Sequence, residues 1–304
     1  MSITPFSGPV VTFNEQNTPG QVANLNPESG PSPFLMGTML LDPRVPFTYH
    51  PGQDFGSPTY GFIDGSYVVV DAAPSQMQTN NIAASQSPGA GAITLVSVSG
   101  AGITVGTSIA RSDTGATVTG LLAIDGAMGS VSFGQSATIK SWDPTKAVSR
   151  NVRITSGGND SGITFTVTGF DVYGYPMVET ITGANAGTAS GKKAFKYIRS
   201  VTHTGTVAGT VQIGTGDVFG FGLRTDAFFY ADIFWNSAFV TSSTGFLVAD
   251  TTSPATAVTG DVRGTYAVQS ASDGTKKLQI AITVSVANVS STIGLFGQTQ
   301  YTNF

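Results

Sequence analysis

Cysteine is absent from the 304 residues, which excludes disulfides, thiolate metal sites and cysteine nucleophiles together and leaves stability to packing or to partners. Charge is scarce as well. Asp, Glu, Lys and Arg make up only 11% of the chain, with a net charge of −4 and a pI near 5.0. Such a balance argues against a surface built to hold phosphates, because nucleic-acid affinity rests on clustered Lys and Arg. The only histidines, His50 and His203, lie far apart in the chain, and there are just three glutamates. A histidine metal centre or a His-based triad therefore has little to draw on, and no G-x-S-x-G elbow occurs. No run of about 18 apolar residues is present, and the opening "MSITPFSGPVVTFNEQNTPG" lacks a basic segment followed by an apolar one, so neither a membrane span nor a signal peptide is expected. Helical periodicity with caps is missing too. What remains is a chain rich in glycine, serine and threonine in which 40% of residues are hydrophobic, enough for a packed core rather than general disorder.

Ten of the fifteen prolines fall between Pro5 and Pro58. Proline fixes φ, lacks a ladder donor and biases the residue before it toward extended geometry, so residues 1–60 are expected to form a long extended arm. The arm carries Phe6, Phe13, Phe34 and Leu35 among other apolar residues, more than a solvated linker would leave bare. It either wraps its own domain or grips neighbouring subunits, and these four residues are its candidate anchors.

Beyond the arm the pattern is β throughout. "GFIDGSYVVVDAAP" reads as a short strand, and from Arg150 onward "RNVRIT", "ITFTVTG", "MVETITG", "KKAFKYIRSVTHTG" and "AGTVQIG" alternate apolar and hydroxyl-bearing residues between turn-forming stretches, the signature of a sandwich or barrel. We expect an all-β fold of one or two sandwich or barrel domains: residues 61–220 as the main β domain, and 221–304 as a C-terminal β region packed with the strand at 61–72. A bulge is expected between Lys196 and Arg199, where the parity of "AFKYIRSV" breaks. "DVRGTYAVQS" and "KLQIAITVSV", joined through Asp273-Gly274, read as a hairpin. The aromatic segment "DAFFYADIFWNSAFV", with Phe234 and Trp235, is either core or an oligomer interface.

Several stretches imitate chemical motifs and fail on spacing. "SGGNDSG" does not place Gly and Asp where a calcium-binding β-roll turn or an EF-hand loop needs them, and reads as a turn. "GTASGKK" has Ala186 and Lys193 where a phosphate loop requires Gly and Ser or Thr. "GTGDVFGFG" has Phe219 at the third dinucleotide-fingerprint position and reads as an irregular strand exit. Lys192, Lys193, Lys196 and Arg199, interleaved with Phe195 and Tyr197, are read first as exposed cations that deter edge pairing, then as a salt-sensitive contact to an acidic protein surface or a platform for single-stranded nucleic acid. Asp226 and Asp232 are the best carboxylate pair for glycoside hydrolysis, with capping or surface placement as the competing reading.

The run "RNVRITSGGNDSGITFTVTGFDVYGYPMVETITGANAGTASGKKAFKYIRSVTHTG" with "TVQIGTGDVFGFG" resembles a β-rich sequence recurrent in virion structural proteins of tailed bacteriophages. "GDVRGTYAVQSASDGTKKLQIAITV" and "GLFGQTQYTNF" are similar to the same group. The resemblance implies a non-enzymatic capsid decoration, or cement, protein, made in the host cytoplasm and carried on the virion surface. It implies a homotrimer seated between capsomers, with the major capsid protein and other copies of itself as partners, no nucleic-acid or membrane partner, no cofactor and no catalytic residues. Candidate interface residues are Phe6, Phe13, Phe34, Leu35, Lys192, Lys193, Phe234 and Trp235. A tail-associated or host-glycan-binding virion protein, with Trp235 or Tyr173 as the sugar platform, is the alternative, followed by a polysaccharide depolymerase working through Asp226 and Asp232.

Overall fold

The computed structural model describes residues 65–128, 131–133, 137–139, 143–240, 245–284 and 300. The arm, with Phe6, Phe13, Phe34, Leu35 and His50, lies outside the described residues. Within them the chain is all-β, with a single 3-10 turn at Thr225–Ala227 and no α-helix. The strands are β1 (Gly65–Ala72), β2 (Ala83–Gln86), β3 (Gly91–Ala92), β4 (Ile103–Ala110), β5 (Thr117–Ile124), β6 (Val131–Phe133), β7 (Ala137–Ile139), β8 (Arg150–Ser156) and β9 (Thr164–Phe170). They continue as β10 (Pro176–Thr182), β11 (Thr188–Phe195), β12 (Tyr197–His203), β13 (Val211–Gly220), β14 (Phe228–Trp235), β15 (Ala238–Val240), β16 (Phe246–Leu247), β17 (Thr265–Ala267) and β18 (Leu278–Val284).

Three antiparallel sheets organise these strands, and β6 and β7 form a separate hairpin. The first sheet runs β1-β18-β14-β15; the second runs β10-β9-β12-β5-β4, with β3 also on β12; the third runs β11-β8-β13-β17-β16, with β2 also on β13. The second and third sheets face one another as a sandwich. Their inward side chains, among them Phe165 and Val167 of β9, Ile198 and Val201 of β12, Val152 and Ile154 of β8 and Val211 and Ile213 of β13, form one buried cluster. A second core joins Val70, Ile233, Trp235, Leu278, Ile280 and Ile282 of the first sheet to Phe219, Phe221 and Tyr266. Strand β13 therefore runs through both cores, its first half in the sandwich and its last residues under the first sheet.

The period-2 alternation of "ITFTVTG" holds as read: Ile163, Phe165 and Val167 are buried and the threonines between them half-buried. Strand β18 also alternates as read, but its pairing does not. It lies between β1 and β14, whereas β17 pairs with β13 and β16 in the third sheet, so the two do not form the expected hairpin. The connection is held elsewhere: Ser272 donates its N–H to Asp217 at 2.9 Å and its hydroxyl to the Ser75 carbonyl at 2.8 Å. Asp273 only caps the local turn, accepting the N–H groups of Thr275 and Lys276. "GTGDVFG" is likewise not a strand exit. It lies inside β13, where a register shift falls between Thr215 and Phe219, and a Cβ at Gly214 or Gly216 would overlap the Gln78 carbonyl or the Asn151 side chain.

In "AFKYIRSV" the chain leaves the third sheet at Phe195 and enters the second at Tyr197, with Lys196 at the corner. The parity break is a bulge between Ile198 and Ser200. Strand β1 pairs with the C-terminal β18, while β16 and β17 extend the sheet of β13, so pairing crosses the boundary drawn at residue 220.

Candidate functional site

Where the three sheets meet, the end of β1, the turn before β4, the end of β5 and the loops around residues 145 and 275 enclose an open cleft of about 550 Å³. Its charged lining is Asp71, Asp125, Lys146 and Lys277, with no aromatic side chain. Asp71 pairs with Lys277 at 2.7 Å. Lys146 is exposed and makes no ion pair among the described residues. The back wall is fixed by Arg150, which is fully buried. Its five N–H donors meet five acceptors: the Gly216 carbonyl at 2.7 Å, the Ser75 carbonyl at 2.7 Å, Asp125 Oδ2 at 3.4 Å, Asp217 Oδ1 at 2.6 Å and Ser272 Oγ at 3.1 Å. Its guanidinium also lies over the Phe219 ring at 5.3 Å. The carboxylates of the cleft are thus committed to cations, and the arrangement offers hydrogen bonding without a nucleophile–base pair.

Beneath this wall Lys196 is buried completely. Its ammonium donates to the carbonyls of Ile124 at 2.7 Å and Val148 at 2.8 Å. Burial pushes its pKa down to about 7, only partly opposed by Asp125. Lys193 is buried as well and donates to the Thr256 carbonyl at 2.7 Å. Both findings correct the reading of four exposed cations: Lys192 and Arg199 face solvent, Lys193 and Lys196 do not. Phe195 and Tyr197 are core residues too, so no base-stacking platform exists on this strand, and Lys193 presents no ammonium to a partner surface. The reason lies in their acceptors. The carbonyls of Ile124, Val148 and Thr256 come from other segments of the chain and point inward, where a long Lys side chain can reach them.

The aromatic segment divides. Trp235 is buried in the core between the first sheet and β13, its indole N–H donating to Ser270 Oγ at 2.9 Å, which removes it as an interface residue or sugar platform. Tyr173 is removed likewise: it is buried, its hydroxyl donates to the Gly222 carbonyl, and the Arg263 guanidinium lies over its ring at 4.7 Å. Phe234 is half-buried and meets Phe239 edge-on at 5.5 Å. Phe239, on the outer strand β15, is 52% exposed. Leu247 and Val248, at the outer strand β16, are 55% and 68% exposed. Two short edge strands therefore present apolar side chains; Phe239 belongs to the aromatic segment read as core or interface, whereas Leu247 and Val248 were not singled out in the sequence.

Asp226 forms a forked pair with Arg224, so it is not poised as a catalytic acid; the side chain of Asp232 lies outside the described set. His203 bonds the Gly205 carbonyl through Nδ1 at 2.6 Å and stacks on Phe165. The loop "SGGNDSG" is a closed turn, as read. Asp160 is buried and accepts the Ala208 N–H at 2.7 Å, Asn159 caps Ser161, and a Cβ at Gly158 would overlap the Ala208 carbonyl. No group of three potential metal ligands occurs among the described residues. No family model, no curated protein and no solved structure matches this chain.

Proposed function

We propose that the protein is a non-enzymatic structural component of a tailed-phage particle, a cement protein that lies on the outer surface of the head as a homotrimer and staples neighbouring major capsid subunits. The observation that carries this reading is the apolar exposure of Phe239 and Leu247 on the short outer strands β15 and β16 and of Val248 just after β16. Edge strands that keep apolar side chains in solvent are surfaces for another chain. The engagement of Asp125, Asp171, Asp217 and Asp226 by arginines supports a building role over a catalytic one. The stretch from Arg150 to Gly205, which carries the resemblance to virion proteins, supplies β8 to β12, the centre of the sandwich.

The test is the copy number of the protein in purified particles. A number comparable to that of the major capsid protein supports the cement role, and a number matching a single neck or tail ring rejects it. Deleting residues 2–40 is expected to abolish head occupancy while the β body still folds; full occupancy by the truncated protein would overturn the part given to the arm.

A further inference from the structure

Three buried side chains from three separate elements are gathered along β11: Lys193 of β11 itself, and the carboxyls of Glu179 of β10 and Asp261 from the segment entering β17, which bond the main-chain N–H groups of residues 192–194. Glu179 Oε1 accepts the main-chain N–H groups of Lys192 and, at 3.3 Å, Lys193. Its Oε2 is buried without a hydrogen-bond partner and packs against Gly191, where a Cβ would overlap it. The Asp261 carboxyl is gripped on both oxygens by main-chain donors, Oδ2 by the Ala194 N–H at 3.1 Å and Oδ1 by the Arg263 N–H at 2.9 Å. Lys193 Nζ is held by the Thr256 carbonyl, five residues before Asp261 on the same loop.

This set has the parts that amide formation requires. Burial lowers the pKa of the Lys193 amine and raises those of both carboxyls, Glu179 to about 7, so desolvation favours a neutral amine beside neutral acids. Two N–H donors fixed on one carboxyl stabilise the charge that gathers on oxygen when a nucleophile adds to its carbon. Glu179, one oxygen of which is unpartnered and stripped of water, can give a proton from one oxygen while taking one on the other. Thr256 holds the nitrogen away from the carboxyl, and the four-carbon lysine stem allows it to swing.

The geometry points to an intramolecular amide cross-link between Lys193 and Asp261, formed with Glu179 as the proton relay. The Nζ lone pair adds to the protonated Asp261 carboxyl at Cγ, Glu179 gives its proton to the departing hydroxyl and regains one from the nitrogen, the Cγ–O bond breaks, and one water leaves. No oxidant or cofactor is consumed. The product would close the chain from 193 to 261 into a covalent loop, binding β11 to the strand that extends its own sheet, in a protein without cysteine to do the same.

Intact-mass measurement of the full-length protein after denaturation tests the proposal. The expected mass is lower than the sequence mass by one water, with peptides containing Lys193 and Asp261 joined after proteolysis. Glu179→Gln and Asp261→Ala are expected to keep the full mass of their own sequences while retaining β-type circular dichroism. A folded wild-type protein at full sequence mass would overturn the cross-link. So would a lost water that mild alkali restores and that maps to Asp64-Gly65, Asp125-Gly126 or Asp273-Gly274, where a cyclic imide forms instead.

Discussion

Replacing Lys196 with Met tests how the sheet corner is held. In the wild type the amine is completely buried on the Ile124 and Val148 carbonyls, with a pKa near 7 against 10.5 for a free lysine. Between pH 7 and 10.5 the unfolded chain binds a proton that the native chain does not, so stability falls as the pH drops through this window and is constant below it. At 1.36 kcal/mol per pKa unit the loss amounts to about 5 kcal/mol. Methionine fills the same volume without a charge, but forfeits two hydrogen bonds worth about 1 kcal/mol each. The variant should therefore be about 2 kcal/mol less stable than wild type near pH 10.5 and about 3 kcal/mol more stable at pH 7, with the curves crossing near pH 9. Urea unfolding followed by tryptophan fluorescence across this range gives the difference directly. Lys193, Tyr197 and Tyr266, whose pKa values are also displaced, are common to both proteins and cancel. A difference that stays flat from pH 7 to 10.5 would refute the claim that the ammonium is desolvated.

Three further outcomes follow from the same geometry. Arg150→Met leaves Asp125 and Asp217 without their buried cation and should cost about 3–5 kcal/mol, read from the urea midpoint; a loss below about 1 kcal/mol would contradict the role of the back wall. Glu179, pushed up from 4.5 to about 7 mainly by burial, holds its proton in the native state after the unfolded chain has released it. Glu179 should thus lower stability by about 3 kcal/mol as pH rises from 4.5 to 7, and the difference between Asp261→Ala and the double variant Asp261→Ala with Glu179→Gln, neither of them cross-linked, should carry that slope. Phe239→Asp, at a half-exposed edge position where the ring meets Phe234, should cost about 1–2 kcal/mol of stability and leave the fold intact, yet sharply reduce occupancy on particles, measured by quantitative gel analysis of purified heads.

The sequence by itself determined the class of the fold and the faces of its strands. Alternation in "ITFTVTG" and "LQIAITV" assigns Phe165, Val167, Leu278, Ile280 and Ile282 to the interior because side chains on a strand point to opposite faces with period two, a property of the local backbone. The turn at "SGGNDSG" was legible for the same reason: Asn159 Oδ1 accepts the Ser161 N–H and the Asp160 carbonyl accepts the Ile163 N–H, both within the loop. Partner strands and the depth of long polar side chains were decided only by tertiary structure. Strands β17 and β18 read as a hairpin because a short turn separates them, yet hydrogen bonds from Ser272 to Asp217 and Ser75 send them to different sheets. Lys193 and Lys196 read as surface cations because lysine usually is one. Carbonyls contributed by residues distant in the chain, Thr256, Ile124 and Val148, draw their amino groups inside, and no local pattern in the sequence can encode a hydrogen-bond partner supplied by another part of the fold.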